Sequence, residues 1–78
     1  MNAQATIRLE EGTPLFAALL KECKKIETEE TVETDFDGNV IINTPLELGG
    51  EIVAEWSFST IRSDKPFEKK EWITLFLG

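Results

Sequence analysis

Seventy-eight residues, 41% of them hydrophobic and with two Trp and five Phe, suffice for one folded domain with a core, and the chain is too apolar to be disordered. A single Cys excludes an internal disulfide, and the absence of His excludes Ser-His-Asp and Cys-His constellations and the usual Cys/His zinc sites. A net charge of −7 opposes direct binding to nucleic acid or to an anionic membrane.

Ala5 to Glu10 alternates, with Ala5, Ile7 and Leu9 on one side and Thr6, Arg8 and Glu10 on the other, which predicts a short half-buried strand. Gly12-Thr13-Pro14 reads as a helix start, with Thr13 as N-cap and Pro14 at the first helical position. Leu15, Phe16, Leu19, Leu20, Cys23 and Ile26 then follow the 3.6-residue period. Lys21, Glu22, Lys24 and Lys25 take the outer face, so the helix is expected to run on and fray near Glu27 to Glu30. Thr31 to Phe36 alternates again, with Val32, Thr34 and Phe36 against Glu33 and Asp35. Asp37-Gly38 (or Gly38-Asn39) before Val40-Ile41-Ile42 signals a two-residue hairpin. Thr44 to Gly50 reads as a connection. Glu51 to Thr60 is the longest strand candidate, with Ile52, Ala54, Trp56 and Phe58 on one face and Val53, Glu55, Ser57 and Ser59 on the other. Arg62 to Lys70 is a polar connection. Trp72 to Leu77 favours a strand, because Trp, Ile, Thr and Phe suit a pleated surface, although Pro66 and Gly78 could bracket a helix there. Apolar residues on both of its faces imply a central strand, or one whose outer face meets another chain.

The expected assembly is a single α+β domain over residues 1–78, β-α-β-β-β-β, with one amphipathic helix on a mainly antiparallel sheet. Ile7, Leu9, Leu15, Phe16, Leu19, Leu20, Cys23, Ile52, Trp56, Phe58 and Phe76 form most of the expected core. Stability on the order of 4–12 kcal/mol follows from the length. With no stretch approaching ~20 apolar residues and no basic-then-apolar start, neither a membrane span nor a signal peptide is read, and the cytoplasm is the expected location.

Dedicated chemistry is not legible. Cys23 on the apolar helix face reads as an inert buried thiol. Asp35-Phe36-Asp37-Gly38-Asn39 resembles the start of a calcium loop, but the positions that need Gly and Glu hold Val40 and Leu46. Glu33 with Asp35, and Glu51 with Glu55, are paired carboxylates expected to face water, so they lack the desolvation that general acid catalysis requires. Gly49-Gly50 lacks the spacing of a phosphate loop. Arg62, Lys65, Lys69 and Lys70 are interleaved with acids and make a poor nucleic-acid patch. The expectation is therefore no enzymatic activity, no cofactor and no metal.

Charge is the one asymmetric feature. Residues 26–61 hold nine acids and no Lys or Arg, while the flanking segments each carry +1. Successive same-face residues on a strand lie about 7 Å apart, on the scale of phosphate spacing along a nucleic-acid strand. Glu29, Glu30, Glu33, Asp35, Asp37, Glu47, Glu51 and Glu55 are thus the candidate partner-binding residues, a negative face that mimics nucleic acid. Phe36 or Trp56 at its edge would supply apolar anchors. In size and charge the chain is similar to small phage-encoded inhibitors of host defence or nucleic-acid enzymes, a likeness of composition that transfers no residues and would place it in the host cytoplasm. The leading expectation is an inhibitor or modulator of a basic, nucleic-acid-binding protein partner. The other is a small structural or assembly subunit that forms a homodimer or larger homo-oligomer through the apolar strand at Trp72 to Leu77.

Overall fold

The structure, a computed structural model, describes residues 5–61 and 68–77. Its elements are β1 (Thr6–Glu10), α1 (Pro14–Glu22), β2 (Lys24–Lys25), a 3₁₀ turn (Glu27–Glu29), β3 (Thr31–Thr34), β4 (Val40–Leu48), β5 (Glu51–Ile61) and β6 (Glu68–Phe76). They form one sheet ordered β1-β6-β5-β4-β2, with β3 pairing β4 on the same side as β2. Every pairing is antiparallel. The α+β architecture is as expected, with a sixth, two-residue strand added.

The helix starts where the sequence places it. Thr13 is extended, its Oγ1 accepts from the Phe16 N–H at 3.3 Å, and Pro14 follows at the first helical position. It stops earlier than expected. Cys23 is already extended and donates its N–H to the Leu19 carbonyl at 2.9 Å. Lys24 and Lys25 then pair with Glu47 and Leu46. No Gly or Pro ends this helix; pairing with β4 satisfies the backbone in place of further helical turns, so Lys24, Lys25 and Ile26 leave the helix.

The turns also differ. Thr44 to Leu48, expected in a connection, belongs to β4. The two-residue hairpin sits at Gly49-Gly50, where φ values of +63° and +85° are open to Gly at no steric cost. Asp37-Gly38 instead lies in a three-residue loop, in which the Gly38 N–H donates to the Asp35 carbonyl at 3.1 Å and Asp35 N–H donates to the Asn39 carbonyl at 3.1 Å. Pro45 is tolerated inside β4 because its carbonyl accepts from Ile26 N–H at 3.0 Å, in the gap between β2 and β3. In an extended strand a residue's N and O point the same way, so the missing N–H removes no bond to β5. Trp72 to Phe76 is strand, as favoured, and β6 is central, between β1 and β5. Glu68, Lys69 and Lys70 join it rather than the connection; the rest of that connection, residues 62–67 with Pro66, lies outside the described residues.

The register fixes four rows on the helix side of the sheet. Ile7, Leu75, Ala54, Leu46 and Lys25 form one row, and Leu9, Ile73, Trp56 and Thr44 the next. Beyond them lie Glu71, Phe58, Ile42 and Val32, then Lys69, Thr60, Val40 and Thr34. Phe16 and Cys23 close over the first two rows, where Leu46, Ala54 and Ile73 are fully buried and Leu9, Leu19, Leu20, Val53, Trp56 and Leu75 pack around them. Leu46 and Ile73 were not among the expected core, whereas Ile7, Leu15 and Ile52 were and are exposed. Ile7 sits on the edge strand, and Ile52 is displaced by a bulge. Pairing passes from Leu46–Ala54 to Glu47–Ile52, so β5 carries Val53 as an extra residue that turns toward the core in place of Ile52.

Nine helical residues span about 14 Å at ~1.5 Å per residue, whereas eleven-residue β5 runs about 36 Å at ~3.3 Å per residue. The helix is too short to cover the sheet. Among the described residues nothing from the helix layer covers the last two rows, and Val32 and Val40 are exposed.

Candidate interaction surface

The structure divides the acids of the middle stretch into three places. Glu27 and Glu29 lie in the 3₁₀ turn, Glu30 follows it, Glu33 is on β3, and Asp35 and Asp37 are in the loop to β4. These acids line the β3 edge of the sheet and its tip. Glu47 and Glu51 lie at the opposite end of β4, some seven residues or about 24 Å from Val40, with Glu47 paired in register with Lys24. Glu55 is in the middle of β5. Of the eight candidate residues, five (Glu29, Glu30, Glu33, Asp35 and Asp37) therefore share this edge, Glu55 lies on the adjoining face within reach of the Glu33 charge, and Glu47 and Glu51 are apart.

Within the edge, the carboxylates differ in what they already do. The Asp35 carboxylate accepts from the backbone N–H of Asp37 and of Asn39 and from Asn39 Nδ2, each at 2.9 Å. These bonds, the Asn39 side chain's first, hold its pKa below the usual Asp value. Glu33 Oε1 accepts from Asn43 Nδ2 at 2.9 Å, and Asn43 Oδ1 accepts from the Ser57 hydroxyl at 2.6 Å. This chain crosses β3, β4 and β5 on the face away from the helix, where Asn43 and Ser57 are buried. Glu55 shares that face, and burial first, then the Glu33 charge, raises its pKa. Glu27, Glu29, Glu30 and Asp37 take part in no side-chain bond described for the molecule, and all are exposed.

Apolar groups accompany the acids. Phe36, at the hairpin tip between Asp35 and Asp37, is as exposed as in an extended chain (110%), and Val32 on β3 is 64% exposed. Trp56, the other expected anchor, is half-buried: Lys25 Nζ lies 4.1 Å from its ring centroid, and the Phe58 ring is 6.0 Å away. Lys69 Nζ stands 6.0 Å over Phe58. On the other face the Arg8 guanidinium stacks 4.4 Å over Trp72 while its Nε donates to Glu10 Oε1 at 2.8 Å.

The Asn43–Ser57 link and the two lysine–aromatic contacts were not anticipated. They join residues on different strands and follow from register alone, for which the sequence carries no direct signal. Val32 with Phe36 was visible as alternation, although not its exposure beside Val40. Cys23 is buried, and burial followed by the Glu22 charge raises its thiol pKa, which keeps it protonated near neutrality. Among the described residues, no group of three or more acids or Cys is placed to hold a metal ion, and no helix is long and apolar enough to cross a membrane.

Comparison with protein-family models, with curated proteins and with solved structures finds no match in any of the three.

Proposed function

We propose that this chain is a non-enzymatic protein-binding module that inhibits or modulates a basic partner of the nucleic-acid-binding kind through the β3 edge. The observation that carries this reading is the run Glu27, Glu29, Glu30, Glu33, Asp35 and Asp37 along one edge and its tip, with no Lys or Arg in the run. A one-signed edge steers a basic protein toward it and loses strength with salt. Glu47 and Glu51 lie at the far end of β4 and belong to the general negative field instead, while Glu55 adjoins the edge through Glu33.

The test uses the acids that hold no structural bond. Glu27→Gln, Glu29→Gln, Glu30→Gln and Asp37→Asn, combined, should abolish capture of a basic partner from native lysate while leaving the far-UV CD unchanged. Capture by the unaltered chain should fall with salt and with competing DNA. Undiminished capture by the four-fold variant would remove the edge from the interface.

The second reading, homo-oligomeric assembly, is favoured by Trp72 and Phe76, half-buried on the face that no helix among the described residues covers. Because β6 is paired along both edges, such a contact would use its side chains rather than its backbone. Light scattering on Trp72→Asp separates the two: a dimer that this change dissociates supports assembly, and a monomer in both cases removes it.

A further inference from the structure

Resting on that reading, we propose that Phe36 is the anchor of the interface, and that it seats in an apolar pocket bordered by Lys or Arg on the partner protein. Three features of the hairpin support this.

The first is presentation. Phe36 occupies the tip of the β3–β4 loop with its ring in solvent. The loop is held by the three bonds to the Asp35 carboxylate and by the turn bond from the Gly38 N–H to the Asp35 carbonyl. Gly38 at φ +80° completes a backbone shape that a side-chain-bearing residue would strain. A ring on a fixed loop gives up little freedom on binding, so more of its burial appears as affinity.

The second is continuity. Val32 and Val40 are exposed on the same hairpin, and Ile42 and Phe58 continue the open rows behind them. Among the described residues, no second layer covers this end of the sheet beyond the short helix, and a partner seated on Phe36 would cover the adjoining valines.

The third is charge. Asp35 and Asp37 flank the ring in sequence, and Glu33, Glu30 and Glu29 continue along the edge, so a pocket for Phe36 would meet acids around its rim. Complementarity therefore selects a pocket with a basic border. Aromatic centres with charged rims are where interface energy concentrates.

The probes are two synthetic basic peptides of equal length and charge, one with Leu along one helical face and the other with Gln at those positions. Amide NMR titration should show both peptides perturbing Glu29 to Asp37, with the Leu peptide binding at least about tenfold more tightly and also perturbing Phe36, Val32 and Val40. Phe36→Ser should bring the Leu peptide down to the affinity of the Gln peptide and leave the latter unchanged; Val32→Ser should do the same more weakly. Equal affinities, indifference to Phe36→Ser, or perturbations centred on Trp56 and Trp72 would overturn the anchor while leaving the acidic edge in place. Failure of both peptides to bind would overturn the acidic edge itself, and the anchor with it. A concentration-dependent dimer that Phe36→Ser dissociates would assign the ring to a second copy of this chain and overturn the proposal.

Discussion

The two ends of this sheet's helix-side face are built from similar residues and have opposite fates. Under the helix, Leu46, Ala54 and Ile73 are fully buried beneath Phe16 and Cys23. About two rows further on, Val32 and Val40 occupy equivalent pleated positions and remain exposed. Side-chain chemistry does not separate them, since all are aliphatic. What differs is the second layer, which among the described residues is one nine-residue helix. One end of the face is therefore committed to stability, and the other is available for contact.

The comparison is tested most severely at the covered end. Ile73→Ala should cost about 2–5 kcal/mol in urea unfolding, a large share of a total on the order of 4–12 kcal/mol. A cost below ~1 kcal/mol would mean that the core does not centre there. Next comes the opposite face. Asn43→Ala removes the acceptor of the Ser57 hydroxyl, which is 2% exposed, and should cost about 1–3 kcal/mol by the same measurement. Gly38→Ala forces a side chain into positive φ and should cost about 1 kcal/mol, with faster amide exchange at Gly38 and Asn39.

A smaller effect is expected at Glu55, with a sign that can be read from pH. Its folded pKa is raised, so the folded state holds the proton more tightly than the unfolded chain. Stability therefore falls as pH rises from the ordinary Glu value of 4.5 through the folded pKa. Glu55→Gln should flatten that part of the stability–pH curve and raise the melting temperature at neutral pH. Asp35 acts in the opposite sense: its contribution is present above the ordinary value of 3.8 and is lost as pH falls through its depressed folded pKa. Smallest of all, Val32→Ser at the open end should change stability by no more than about 0.5 kcal/mol. A loss near that of Ile73→Ala would erase the distinction between the two ends.

Where local pattern decides, the sequence was readable. Thr13-Pro14 set the helix start, alternation marked the strands at Thr6–Glu10 and Glu51–Ile61, and the composition of Trp72 to Phe76 favoured a strand that proved central. The helix end was not readable, because Cys23-Lys24-Lys25-Ile26 continues the helical period and leaves it only to pair with β4. Nor was the strand character of Thr44 to Leu48, since Pro45 argues against a strand unless a gap faces it. Of the candidate surface, the acidic run and Phe36 were legible as sequence neighbours. The separation of Glu47 and Glu51 from them was not, because it depends on which ends of β4 the two hairpins occupy.

By itself, then, the sequence determined what each segment prefers: the α+β class, the start of the amphipathic helix, a chain reversal near Asp37-Gly38 and the sign of the middle stretch. These depend on spacing, turn chemistry and charge within a few residues. Only the tertiary structure decided which apolar residues are covered, which carboxylates are already bonded and which acids share an edge. Those outcomes are set by strand register and by the reach of one short helix, and both involve residues far apart in the chain.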